Sequence, residues 1–271
     1  KKIKEFKPDI IHFHSILYYI SPSVMHAAKL LNVPSIISIH DYSIVCPNSY
    51  FIDQHGIACK QGFGYQCLTR KCVPYNKKIK YWILRIYRTI KLLVHRSIIK
   101  NNADHILSPS DNLSKWLQTN LGVNPLTVYL FTELKAQITP IITENNLLYV
   151  GRVEEGKGID CLLHALKIVK EKFSDVRLVV AGKGNSLEKS KQLAESLGLS
   201  SSITFSGFVS RDKLSKYYQN SKIVVIPSNY AENFSSVGVE AITFGRPIIV
   251  SDEFGLVERI HGGKVGLSVR M

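Results

Sequence analysis

With 271 residues, 45% of them hydrophobic, the chain holds enough apolar material for one large or two medium cores, which excludes a disordered polymer. No apolar run approaches the roughly 20 residues that span a bilayer, and the charged opening KKIKEFKPD has no apolar signal core behind it. The formal charge of +14 is uneven, with +10 on residues 1–146 and +4 on residues 147–271.

In chain order, Ile10 to Phe13 is β-branched and apolar, Ser23 to Leu31 has helical spacing, and Pro34 to Ile39 is apolar again. This alternation predicts a parallel sheet with helices on its faces. A long loop rich in Gly, Cys and Tyr runs from about Asp41 to Asn76. It contains Cys46, Cys59, Cys67 and Cys72 at irregular intervals, with no C-x-x-C pair. Two readings stand: a zinc site with His55 as an extra ligand, or unbridged thiols in a reducing compartment.

The segment Lys77 to Lys100 carries eight bases and no acid. Ile79, Trp82, Ile83, Ile86, Ile90, Leu93 and Val94 recur in it at three- and four-residue intervals. An ordinary domain helix with its stripe facing the core is one reading. Peripheral contact with an anionic membrane, or with a charged acceptor, is the other. Basic and aromatic residues are not interleaved in a nucleic-acid-binding motif, so nucleic acid is not expected as a partner.

HILSPS then reads as a strand, and Asp111 to Leu121 as a helix closed by Gly122. Phe131 to Asn146 lacks a sustained period and reads as a linker. Beyond it the alternation is cleaner. Strands are predicted at Leu147 to Val150, Val176 to Ala181, Ile203 to Ser206, Ile223 to Pro227 and Ile248 to Ser251. Helices are predicted at Cys161 to Phe173, Ser186 to Leu197 before Gly198, Arg211 to Asn220, and Ser236 to Phe244 before Gly245 and Pro247. Such sheets bind ligands beyond the carboxyl ends of their strands.

Three strand ends carry candidate chemistry. Gly151 and Arg152 are followed by Lys157 and Gly158 at a helix start, where glycine lets backbone approach a ligand and the cations suit phosphate. The same pairs also suit a plain turn. Ala181-Gly182-Lys183-Gly184 begins a dinucleotide fingerprint that Asn185, Ser186 and Leu187 do not complete, which disfavours an NAD-dependent oxidoreductase. In PSNYAENFSSVGVEAITFGRPIIVSD, Glu232 precedes a helix start at Asn233 to Val237, and Glu240 lies a turn inside it. Helix-start amides flanked by two carboxylates suit a phosphorylated polyol. The bland alternative makes Glu232 a solvated loop acid and Glu240 a surface one.

The Glu, seven residues, Glu pattern of Glu232 and Glu240, followed by Ala241, Gly245 and Pro247, resembles the donor signature of the retaining GT-B glycosyltransferases of family four, the glycosyl transferase group 1 enzymes. GRVEEGKG (151–158), VVAGKG (179–184), ITFSGFV (203–209) and SDEFGLVE (251–258) extend the resemblance over nearly all of the second half. PDIIHFHS (8–15) and SIHDYSIVCP (38–47) extend it more loosely into the first.

The resemblance implies an α/β protein of two Rossmann-like domains facing a cleft, both incomplete here. An acceptor-side domain would cover residues 1–130, a linker 131–146, and a nucleotide-sugar domain 147–271. Gly151, Arg152 and Lys157 would hold the donor diphosphate, and Glu240 the ribose hydroxyls. Glu232 with the backbone of Asn233, Phe234, Ser235, Ser236 and Val237 would hold the transferred sugar and diphosphate. Gly207, Phe208 and Val209 would lie against the base, and His40 would contact the donor sugar. A bare His at a strand end is also often structural, as His12 and His14 are read here. Ser235 stands where relatives commonly have Gly, and Phe254 where a Gly pair usually begins, both narrowing the donor pocket.

The resemblance further implies retention at the anomeric carbon, with Arg152 and Lys157 acting electrostatically in place of a metal; no Asp-x-Asp motif occurs. The acceptor would be a glycan or lipid-linked, in bacterial cell-surface polysaccharide synthesis, at the cytoplasmic face of the membrane. A non-catalytic sugar-nucleotide-binding fragment and a GT-B epimerase are the alternatives.

Overall fold

The computed structural model describes residues 1–47, 49, 51, 59, 62–69, 72, 79–134, 138–230, 232–252, 255, 257–260 and 264–270. His55, Lys77, Lys78 and Phe254 lie outside them. The chain divides into two compact units. The first holds Lys1–Tyr129 with Tyr230–Phe234, and the second Leu130–Asn229 with Ser235–Met271. Each is an α/β, Rossmann-like body built on a parallel sheet.

In the first unit α1 (Lys2–Phe6) precedes β1 (Ile11–His14), followed by α2 (Ile16–Tyr19), α3 (Ser23–Leu30) and β2 (Ser35–Ser38). Then come α4 (Gln66–Thr69), α5 (Ile79–Asn102), β3 (His105–Ser108), α6 (Asp111–Leu121) and β4 (Leu126–Thr127). The sheet runs β1-β2-β3-β4, all parallel, with Phe13 level with Ile37 and Ile37 with Ile106. Ile37 on the core side of the pleat, Ile99 on α5, and Leu113 and Leu117 one turn apart on α6 are fully enclosed. The Ser110 hydroxyl accepts from the Leu113 amide at 3.1 Å and starts α6, and Gly122, at φ +65°, ends it.

Helix α5 is turned opposite to the core-facing reading of its sequence. Trp82, Ile83, Ile86, Ile90, Leu93 and Val94 are all exposed, Ile83 by 63%, while Leu92 and Ile99 are buried. The inward side has polar work to do. Arg85 donates to the Cys67 carbonyl at 2.8 Å, and the Arg96 guanidinium lies 4.5 Å from the centre of the Phe63 ring. Arg85 and Arg96 thus lie on the packed side, while Lys91, Lys100 and the apolar stripe are exposed.

The second unit contains β5 (Asn146–Val150), α7 (Ile159–Lys172), β6 (Arg177–Ala181), α8 (Leu187–Ser196), β7 (Ile203–Gly207) and α9 (Arg211–Gln219). It continues with β8 (Ile223–Ile226), α10 (Ser236–Thr243), β9 (Ile248–Ser251), α11 (Val257–Ile260) and β10 (Gly266–Val269). The sheet order is β10-β9-β8-β5-β6-β7, all parallel. Strand order reverses between β5 and β8, which pair through Leu147–Ile223 and Leu148–Val224. This reversal is the topological switch point at which a doubly wound sheet opens a crevice for ligands.

The segment 138–146 that leads into β5 is fastened by Arg246, only 1% exposed. Its Nη1 donates to the carbonyls of Pro140 (3.2 Å) and Ser221 (3.4 Å), and its Nη2 to the carbonyl and hydroxyl of Thr139 (2.6 and 2.5 Å). The two terminal nitrogens of this buried guanidinium, bonded to backbone oxygens and the Thr139 hydroxyl while Nε has no partner among the described residues, tie this irregular stretch to the sheet.

Candidate functional site

At the switch point the loop after β5 meets the end of β8 backbone to backbone. Gly158 caps α7 at φ +71°, and a Cβ there would stand 1.5 Å from the Pro227 carbonyl oxygen. Only glycine fits. The Asn229 amide donates to the Gly156 carbonyl at 2.8 Å and adds a second tie between the same two segments. Gly182, after β6, approaches the Gly151 carbonyl as closely, with a virtual Cβ 1.7 Å from the oxygen. The sequence reading of Gly182 as a tight turn becomes a requirement for close approach.

Arg152 and Lys157 ride on this loop. Arg152 is exposed and its Nη1 pairs with Glu154 Oε2 at 2.7 Å, while the Tyr149 hydroxyl donates to the Arg152 carbonyl at 2.7 Å. Lys157 is half-buried at the loop's close, its amide bonded to the Glu154 carbonyl at 3.1 Å. The loop is an anchored backbone carrying cationic side chains, one of which is held by an acid of the same loop.

Beyond β7, Gly207 turns the chain at φ +67° and presents Phe208, 70% exposed, with Val209 half-buried beside it. The Lys183 ammonium lies 5.9 Å from the centre of the Phe208 ring. An exposed aromatic ring at the carboxyl end of a strand can stack on a planar group.

Helix α10 begins at Ser235, whose hydroxyl accepts from the Gly238 amide at 3.4 Å. Ser235 is 5% exposed, and its hydroxyl serves as the helix cap rather than projecting as a free group. The amides of Ser236 and Val237 remain at the helix start, where the positive end of the helix dipole favours an anion. One turn on, Glu240 is 8% exposed and accepts from the Tyr218 hydroxyl at 2.7 Å. It is therefore not the surface acid of the bland reading.

In the first unit, His14 Nδ1 lies 2.9 Å from His40 Nε2, and His12 Nε2 lies 2.8 Å from Ser38 Oγ. The His14 and His40 rings stack at 5.2 Å and 18°. Both pKa values fall below the ordinary imidazole range, for His14 through burial and then the neighbouring His12 and His40 charges. For His40 burial outweighs the upward pull of Asp41. The same unit includes residues 230–234, with Glu232 and Phe234 half-buried and Asn233 buried. Asn233 Nδ2 donates to the His40 carbonyl at 3.0 Å, and its Oδ1 accepts from the Ser110 hydroxyl at 2.5 Å. The Asn233 side chain is thus engaged with protein groups, which leaves the expectation, placed on its backbone, untouched.

Cys46, Cys59, Cys67 and Cys72 border one cavity of about 30 Å³ together with Arg85, Arg88 and Thr89. Among the described residues no three His, Cys, Asp or Glu side chains are grouped to hold a metal ion. Sequence reading does not single out Tyr218, Arg246 or Ser110. Arg246 left one legible signal, a charged residue enclosed by Gly245 and Pro247 directly before an apolar strand.

A sequence model of the glycosyl transferases group 1 matches residues 131–270, and one of glycosyltransferase family 4 matches residues 1–130. The chain belongs to the glycosyl transferases group 1 family. An uncharacterized glycosyltransferase of Methanocaldococcus jannaschii is 29% identical over 264 residues, covering 94% of this chain and 60% of that protein. The lipopolysaccharide 1,2-N-acetylglucosaminetransferase of Salmonella typhimurium is 32% identical over 127 residues, 44% of this chain and 33% of its own length. This group 1 chain therefore spans well under two thirds of these relatives. Among solved structures, Anabaena HepE in complex with UDP matches with a TM-score of 0.72 at 16% identity, over 98% of this chain and 66% of that one. Sucrose-phosphate synthase from Thermosynechococcus elongatus matches with a TM-score of 0.69 at 20% identity, over 99% and 62%. The fold is that of the GT-B glycosyltransferases.

Proposed function

We propose that this group 1 protein transfers a sugar from a nucleoside diphosphate to a glycan or lipid-linked acceptor, with retention of anomeric configuration and without an obligatory metal. The observation that carries the reading is the start of α10 beside the switch point, where open amides stand one turn from the nearly buried carboxylate of Glu240. Amides suit the diphosphate and the carboxylate suits a vicinal diol such as ribose. Arg152 and Lys157 stabilise the leaving diphosphate, Arg152 exchanging Glu154 for phosphate oxygens as donor enters. Gly151 lets the backbone approach, Gly207, Phe208 and Val209 take the base, and Phe234, Ser235, Ser236 and Val237 frame the diphosphate. Glu232 and His40 serve the transferred sugar, and Asn233 holds the His40 backbone. His40, neutral near pH 7 because burial lowers its pKa, offers a hydrogen bond rather than a charge.

The acceptor belongs to bacterial cell-surface glycan synthesis at the cytoplasmic membrane face. Among the described residues no helix is long and apolar enough to cross a membrane. The support for peripheral contact is α5, where exposed Trp82, Ile83, Ile86 and Ile90 adjoin Lys91. Co-sedimentation with anionic but not neutral vesicles, lost in Ile83→Glu, is expected; equal pelleting with both would remove the charge-assisted contact.

The donor reading is tested by thermal shift of the full-length protein against UDP-, GDP- and ADP-sugars, with and without Mg²⁺ and EDTA. One nucleotide class is expected to stabilise, regardless of metal, and Arg152→Ala to abolish the shift. No response to any class would overturn it. NMR of the product's anomeric proton then decides retention, and a sugar still attached to nucleotide would mark an epimerase instead.

A further inference from the structure

Glu240 does not stand alone. Its Oε2 accepts from the Tyr218 hydroxyl at 2.7 Å, while Oε1 accepts from no described residue. Tyr218, on α9, is fully enclosed, and its ring stacks on Phe244 at 5.3 Å and 11°. Phe244 is itself fully buried and lies four residues after Glu240, at the end of α10. The ring is thus fixed by packing, the hydroxyl by the ring, and the carboxylate by the hydroxyl. Burial, then the hydrogen bond to Glu240 and its charge, hold Tyr218 protonated far above the physiological range. The hydroxyl can only donate to the carboxylate, never compete with it as an anion.

A carboxylate with one oxygen engaged and the other open presents a single defined acceptor direction. We propose that Tyr218 is a positioning residue that aims Glu240 Oε1 at a hydroxyl of the donor's ribose, and so sets the preference for ribonucleotides over 2′-deoxyribonucleotides. The inference rests on the donor reading above. Glu240 on a flexible stem would otherwise sample several rotamers, and loss of the Tyr218 donor would leave Oε2 seeking a partner, the same ribose hydroxyl included. Aim, rather than presence, is what Tyr218 supplies.

The test measures dissociation constants of the full-length protein for UDP, GDP and ADP, each beside its 2′-deoxy form, in wild type and Tyr218→Phe. For the base that binds tightest, wild type is expected to prefer the ribonucleotide by about tenfold, the worth of one well-placed hydrogen bond to a charged group. Tyr218→Phe is expected to lose most of that preference by weakening ribonucleotide binding alone, with the deoxy form unchanged. A merely structural role would weaken both nucleotides together and leave the ratio intact. A preference that survives Tyr218→Phe overturns the positioning role while the donor reading stands. A wild type that binds both forms equally overturns the inference while the donor reading stands, and one that binds no nucleotide overturns both. Should Tyr218→Phe fail to fold, Phe244→Leu loosens the same ring with both polar groups in place. An unchanged preference in that variant also overturns the proposal.

Discussion

Gly158→Ala separates backbone strain from backbone collision. Gly158 and Gly198 both sit at φ +71°, but a Cβ at Gly198 meets nothing within 4 Å, whereas one at Gly158 falls 1.5 Å from the Pro227 oxygen and 2.6 Å from its carbon. The left-handed conformation alone costs an alanine about 1–2 kcal/mol, and the stiffer unfolded chain returns about 0.4–1 kcal/mol. Gly198→Ala should therefore destabilise by about 1 kcal/mol or less. At Gly158 the obstacle is main chain on both sides, so the loop after β5 and the end of β8 must part, adding about 1–3 kcal/mol or more. In a chain of this size each kcal/mol shifts the melting temperature by roughly 2–4 °C. Differential scanning fluorimetry should place Gly158→Ala about 2–12 °C below Gly198→Ala. Equal melting temperatures would show that the two segments do not press together as described.

Arg246→Ala should destabilise by about 3–5 kcal/mol in urea unfolding, since the carbonyls of Thr139, Pro140 and Ser221 lose a buried donor together; a change under about 1 kcal/mol would mean the guanidinium is dispensable. His14 and His40 have depressed pKa values, so the unfolded chain binds more protons than the folded one just below pH 6.5. Stability from this pair is full above that pH and falls as pH drops through the unfolded value towards the folded ones. Wild type should lose more melting temperature between pH 7.5 and 5.5 than a His14→Gln, His40→Gln double variant, and parallel losses would refute the shift.

The fold of the second half was legible because each element carries its own punctuation. Gly198 and Gly245 stop helices where periodicity ends, and the apolar strands differ in length and branching from the helices between them. β4, two residues long, and β10, with one partner strand, carry too little pattern to be read. Helix α5 shows a sharper limit. Period reveals that a stripe exists, not which way it faces, and Arg85 and Arg96 meet packed-side partners that lie distant in sequence. At the candidate site the residues bearing charge were visible, but Tyr218 and Ser110 were not. Their roles arise only when the chain brings them to Glu240 and Asn233, and no local spacing encodes such a meeting. Ser235 caps α10, a role that its position before an apolar helix signals.

The bond between Ser110 and Asn233 joins positions that are 123 residues apart in the chain. Asn233 also holds a backbone carbonyl, and Ser110 also starts a helix, so neither can drift alone without leaving a buried polar atom unmatched. Over evolutionary time the pair should behave as one inherited character. Lineages that exchange one residue should exchange the other, making covariation of positions 110 and 233 a record of this contact in sequences whose structures are unknown.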